Sequence, residues 1–286
     1  MFRNILLKIL KRNLNSEFDL IIEPDKTTRD FFLELIRYRE LFFFMAWRDI
    51  IVRYKQTVIG IAWSVIKPLL SMIVFTVVFG RIAKLPNDGV PYPVLVFSAL
   101  LPWQYFANAM QNSSEALIRA EAMISKVYFP RLILPTSSVL VSVIDFLISL
   151  VLMCFLMLIY RFLPSVNIIL LPIFFIPATL AALGVGYLFS AIGVKYRDFR
   201  HIMPFIIQFG MYISPVGFSS SIIPDRWRFL YSLNPMVGVI DGFRWCIQGS
   251  PMYVPGFFIS LMISFLLFYY GLKFFRRTER SFADFI

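Results

Sequence analysis

Residues 133–160 read ILPTSSVLVSVIDFLISLVLMCFLMLIY, a run whose single charge is Asp145. A helix needs about 20 mostly apolar residues to cross a hydrocarbon core roughly 30 Å thick, and this run exceeds that length. Outward from it, five more runs of similar character stand at 57–79, 92–109, 166–194, 202–218 and 253–272. With 59% hydrophobic residues and 32 phenylalanines in 286 positions, the composition lies far from the soluble norm. The runs are unbroken, unlike the short alternating segments of a β-barrel. The expected fold is an all-α integral membrane protein. It has six transmembrane helices, an N-terminal amphipathic interfacial helix, and short re-entrant helices between spans five and six.

The net charge of +11 would suit nucleic acid in a soluble protein, but here its position matters more than its total. Arg39, Arg48, Arg53, Lys55 and Lys67 precede or open the first run. Arg119, Lys126 and Arg131 lie in the second loop, Lys195, Arg197 and Arg200 in the fourth, and Lys273, Arg276, Arg277 and Arg280 close the last run. The opposite side holds only Arg81, Lys84, Arg161, Arg226, Arg228 and Arg244. The positive-inside rule then puts both termini in the cytoplasm, and six spans is the agreeing parity. The start MFRNILLKILKRN is basic, but Lys8 and Lys11 break its apolar pieces and no small-residue cleavage site follows, so it reads as retained. Cys154 and Cys246 fall at different depths, which argues against an intrachain disulfide. No internal repeat stands out, against the inverted-repeat carriers.

Asp145 near the middle of its run needs a partner, because a central carboxylate costs about 2.5–3.5 kcal/mol on the insertion scale. Lys67, or the hydroxyls Ser142 and Ser149 on its own helix, are the candidates. Lys67 and Asp145 are the intramembrane charges, too few for an ion relay, so a structural pair outranks a transport site. Lys67 sits shallow enough to snorkel, and Pro68 beside it is a kink position. Ala182, Gly186 and Ser190 form a small-residue stripe that lets helices approach closely. Thr27 to Asp30 reads as a capping box opening a helix with Phe32, Leu35, Ile36, Phe43 and Trp47 near one another, the interfacial helix of the fold. In 219–251, the dipeptide Asn234–Pro235 divides a stretch rich in Trp, Tyr and Arg, which suits two short helices dipping into the outer interface.

No glycine is followed by lysine, so a Walker motif is missing. His201 has no Cys or His neighbours to complete a metal set, and neither paired carboxylates nor a nucleophile beside a base occur. The chain therefore reads as neither an enzyme nor the holder of a cofactor or metal.

Three motifs carry a resemblance: RYKQTVIGIAWSVIKP at 53–68, SKVYFPRLILP at 125–135, and LNPM at 233–236. Through Arg53, Tyr54, Gly60, Trp63, Pro68, Tyr128, Pro130, Arg131, Pro135, Asn234 and Pro235, the chain from about Arg37 onward resembles the permease subunit of ABC-2-type polysaccharide exporters. The O-antigen and capsule permeases are the nearest. The resemblance implies a homodimer in the bacterial inner membrane, driven by two copies of a separate cytoplasmic ATPase, exporting a lipid-linked polysaccharide. It implies a cytoplasmic segment with a gate helix at 1–56, a transmembrane domain at 57–275 and a tail at 276–286. Within that domain, a coupling loop at 113–132 meets the ATPase and a periplasmic gate occupies 219–251.

By the same resemblance Lys126, Tyr128, Phe129, Pro130 and Arg131 couple to the ATPase, the rings as anchors and the cations as partners for acids. Arg37, Arg39, Trp47, Arg53 and Lys55 belong to the gate and entrance, where cations meet a carrier pyrophosphate or lipid headgroups. Trp103, Tyr105, Tyr212, Tyr231 and Tyr269 line a channel for sugars. The first 28 or so residues exceed the family's usual length and carry no assigned role. Two other readings compete. One keeps the architecture with another cargo: teichoic acid, lipid or drug. The other is a membrane-embedded transferase, for which only the scattered His201, Asp198 and Asp241 offer chemistry.

Overall fold

The computed structural model describes residues 36–55, 60–87, 89–127, 129–196, 198–279 and 282, with the backbone alone at 60, 61 and 200. The expected capping box at Thr27, and with it Phe32, Leu35, Tyr128 and Arg197, lies outside the described residues. Among the described residues there is no strand, as the unbroken apolar runs require.

Ten α-helices follow along the described residues: α1 Arg39–Lys55, α2 Gly60–Phe75, α3 Tyr92–Arg119, α4 Glu121–Ile124, α5 Ile133–Ile159, α6 Leu171–Lys195, α7 Phe199–Ile213, α8 Asp225–Tyr231, α9 Pro235–Gln248 and α10 Val254–Glu279. A π-helical stretch, Thr76–Ile82, prolongs α2, and a 3₁₀ turn, Val166–Leu170, leads into α6. Four helical stretches are long and apolar enough to cross a membrane: Ala62–Ile82, Ile133–Ile159, Val166–Lys195 and Val254–Glu279. α7 has 15 residues, about 22 Å at 1.5 Å per residue, which is shorter than a full crossing.

α3 departs most from the run read in the sequence. It continues past Ala109 to Arg119 and is buried along most of its length. Several of its polar side chains find partners inside the protein. Tyr105 shares a hydrogen bond with Thr179 at 2.8 Å, the Asn112 amide donates to Ser142 at 3.0 Å, and Gln111 donates to Glu115 one turn on. A helix surrounded by protein needs no continuous apolar surface, which is why its second half does not look like a span.

α6 is the centre of the bundle, packed against α3 on one side and α10 on another. The expected stripe does the packing: Ala182 and Ser190 are buried, and a Cβ on Gly186 would run into Ser113 of α3. Gly184, off that stripe, is where α6 meets α10, because its Cβ would stand 2.5 Å from the Leu267 carbonyl oxygen.

Contacts between loops define two ends. At one, Tyr92 donates to the Gly217 carbonyl at 2.7 Å, Gln248 donates to Val94 O at 3.2 Å, and Ser165 N–H donates to Ile247 O at 3.0 Å. At the other, Arg131 meets Glu279 and Phe189 packs 6.1 Å from Phe199. α3, α5, α6, α7 and α10 run alternately between these ends.

The 219–251 segment forms the two short helices expected on either side of Asn234–Pro235. The Asn234 side chain caps α9 by accepting from Met236 N–H at 3.0 Å, its amide donates to Ser214 at 2.9 Å, and Pro235 occupies the first turn, where a missing N–H costs nothing. Gly249, at φ 71°, ends the helix in the left-handed conformation that glycine adopts without penalty. Asn234→Ala is expected to cost about 0.5–2 kcal/mol, read as a lowered melting temperature of the detergent-solubilised protein. An unchanged melting temperature would mean the cap does not hold α9.

Candidate functional site

Asp145 lies about 18 Å along α5 from its start, at 1.5 Å per residue. Its partners come from α1 and α2. Oδ2 is 2.6 Å from Nη2 of Arg53, Tyr54 donates its phenol to Oδ1 at 2.6 Å, and Ser64 donates to the same oxygen at 3.0 Å. This corrects the expected pairing. Lys67 makes no ion pair with it, Ser142 is taken by Asn112, and Ser149 only lines the adjoining space. The reason is reach: α1 packs against α5, so its last turn brings a long guanidinium and a phenol to the carboxylate. Burial first, then the Asp145 carboxylate, push the Tyr54 phenol up to about 12, so it stays a donor.

The same contact bears on two other expectations. The last turn of α1 packs against α5 through Arg53 and Tyr54, while Phe43 and Trp47 are exposed. Arg53 is not free for an entering anion, since its charge is committed to Asp145. Arg37, Arg39 and Lys55 are each exposed.

A cavity of about 250 Å³ opens beside this cluster, lined by Arg53, Trp63, Lys67, Gln104, Asn108 and Asp145 among others. With Arg53 and Asp145 offsetting each other, Lys67 leaves the wall positive. A second cavity, about 190 Å³, lies in the 219–251 region and includes Ser220, Arg228, Tyr231, Asp241 and Arg244. Ser220 donates to Asp241 at 2.5 Å, and the buried Arg244 donates to the Phe218 carbonyl at 2.8 Å. Desolvation pushes the Asp241 carboxyl up, while the Ser220 hydroxyl and the Arg244 and Arg228 guanidiniums pull it down.

The five expected channel rings do not converge. Trp103 and Tyr105 are core residues: Trp103 fills the space over Gly210, and Tyr105 packs 4.2 Å from Phe175 and 5.8 Å from Phe146 and also lines the first cavity. Tyr231 donates to the Ile213 carbonyl at 3.0 Å beside the second cavity. Tyr212 and Tyr269 are exposed on the outside of the bundle.

The 113–132 segment is less loop than expected, because α3 occupies it through Arg119 and α4 follows. Lys126 is exposed and Val127 is 59% exposed, whereas Phe129 is 6% exposed and so is no free anchor. Pro130 is half-buried. Arg131 is engaged within the chain, by Glu279 and Phe282. The roles of Tyr54 and Ser64 as partners of Asp145, and of Glu279 as partner of Arg131, were missed in the sequence. The isolation of Asp145 was the one available signal, and it announced a partner without naming it. Among the described residues no group of His, Cys, Asp and Glu is placed to hold a metal.

Comparison with known proteins adds a lineage to this geometry. Residues 40–247 match the family described as ABC-2 type transporter. Two curated relatives from Klebsiella pneumoniae, each named O-antigen export system permease protein RfbA, are 27% identical over 240 residues, covering 83% of this chain and 91% of the relative. A protein of the same name from Myxococcus xanthus is 29% identical over 215 residues, covering 74% of this chain and 81% of the relative.

Proposed function

From the premise that this chain belongs to the ABC-2 type transporter family and is a multi-pass membrane protein, we propose that it is the permease subunit of a polysaccharide exporter. The observation that carries the reading is its alignment with three O-antigen export permeases over most of their lengths. The cargo is a lipid-linked glycan and the membrane is the bacterial inner membrane, with both termini cytoplasmic. Power comes from two copies of a separate ATPase bound to a homodimer of this chain.

Several features support the division of labour. The end at which Arg131 meets Glu279 gathers the cation-rich loops, as a cytoplasmic face should. α2 buries little of its apolar surface within one chain, leaving Trp63, Leu70 and Val74 for lipid or a second copy. A six-span reading takes α2 and the five alternating helices as the crossings, four of which lie in stretches long and apolar enough by themselves. The positive wall at Lys67 and the exposed Arg39 and Lys55 suit the phosphates of a lipid carrier. The exposed Glu121, Ala122, Ser125, Lys126 and Val127 form the face offered to the ATPase.

Co-expression with the ATPase encoded beside it is expected to yield a complex that, in proteoliposomes, moves lipid-linked glycan only when ATP is supplied. The chain alone should move none. Failure to form the complex, or pumping by the chain alone, would overturn the reading.

A further inference from the structure

The segment joining α3 to α5 is tied at its far end to the last helix. The Arg131 backbone N–H donates to Oε1 of Glu279 at 3.0 Å, and its Nη1 donates to the Glu279 backbone carbonyl at 2.7 Å. The guanidinium carbon stands 5.8 Å from the centre of the Phe282 ring. Phe282 is 0% exposed and packs 5.5 Å from Phe275 of α10. Glu279 is the last residue of α10, where carbonyls lack helical donors and the helix dipole is negative. A guanidinium there satisfies one carbonyl and offsets the dipole. The main-chain bond adds something a surface ion pair does not, because it fixes the backbone of the segment itself against the helix end. α10 is in turn closed onto α6 at Gly184 and Gly271, whose backbones touch.

We propose that Arg131, Glu279 and Phe282 clamp the 121–132 segment to α10, so that the two move as one body. Force received at the exposed Glu121, Ala122, Ser125, Lys126 and Val127 then reaches the last span directly, and through it α6, as well as passing along the chain into α5. All three are positioning residues, since their contacts lie within the chain. The inference rests on the reading of this segment as the face that meets the ATPase, and it replaces Arg131 as an anchor for acids on that partner.

The test uses the full chain co-expressed with its ATPase in proteoliposomes. Arg131→Ala, and separately deletion of residues 280–286, are expected to leave complex formation and ATP hydrolysis unchanged. Glycan exported per ATP should fall about tenfold, the scale of one lost charge-assisted hydrogen bond. Combining the two changes should cost less than the product of the separate deficits, because the guanidinium and the Phe282 ring act in one clamp beside the remaining main-chain bond. Normal export per ATP in both variants, or deficits that multiply, overturn the proposal. Where a variant does not accumulate, the intact clamp is read instead by spin labels at Lys126→Cys and Thr278→Cys in a chain with Cys154 and Cys246 replaced by serine. The label separation should hold between the nucleotide-free and ATP-bound complex, and a change of one helical turn, about 5 Å, overturns the clamp. If the unaltered chain forms no complex, it is the transport reading that fails.

Discussion

Arg53→Met is expected to destabilise the protein by about 2–3 kcal/mol and to sharply reduce the amount found in the membrane. Removing one member of a buried ion pair costs about 3–5 kcal/mol, because the other is left charged without compensation. The value here falls lower, since the Arg53 side chain is 37% exposed while that of Asp145 is only 10% exposed. Tyr54 and Ser64 would still donate to the carboxylate, but two neutral donors do not cancel a charge at that depth. Adding Asp145→Asn to the same chain should restore most of the loss, because an amide oxygen accepts the same two hydrogen bonds and carries no charge. Melting temperature in detergent, with the four corners of the cycle compared, measures the coupling. Should Arg53→Met melt normally and lose only export, Arg53 serves the cargo entrance and not the fold.

That cycle also marks how far the sequence could be read. Asp145 announced its need for a partner because a lone carboxylate in an apolar run is costly wherever the run folds. The partner's identity was illegible, since Tyr54 stands 91 residues away and only the packing of α1 on α5 joins them. Arg131 was visible as a cation in a cytoplasmic loop, but its bond to Glu279 spans 148 residues and the loop's own composition gives no hint of it. The spans at 133–160 and 166–194 were legible because lipid-facing helices must be apolar over their length. The second half of α3 was not, because Gln111, Asn112 and Glu115 look like loop residues until neighbouring helices enclose them. Trp103 and Tyr105 misled for a related reason: an aromatic ring with a polar atom serves a channel and a core equally well, and Thr179 decides for the core in Tyr105.

The crossing of α6 and α10 should be the least tolerant place in the bundle. At Gly184 an added Cβ would lie 2.5 Å from both the Leu267 oxygen and the Phe268 nitrogen, and at Gly271 it would lie 3.0 Å from the Gly184 Cα and closer still to its carbonyl. All of these neighbours are backbone, so no rotamer change makes room and the helices themselves must separate. Overpacking costs about 1–3 kcal/mol where side chains can yield. Gly184→Ala is expected to meet or exceed about 3 kcal/mol, and Gly271→Val to prevent accumulation in the membrane. Gly193, on the same helix, is the control: its Cβ would meet only Ile118 Cδ1 at 3.3 Å, the end of a flexible side chain. Gly193→Ala should therefore be neutral, or stabilise by up to about 1 kcal/mol through helix propensity. Opposite signs at two glycines of one helix follow only if close backbone contact, and not glycine's flexibility, sets the cost at Gly184. Equal tolerance of alanine at both positions would show that α6 and α10 stand further apart than this packing requires.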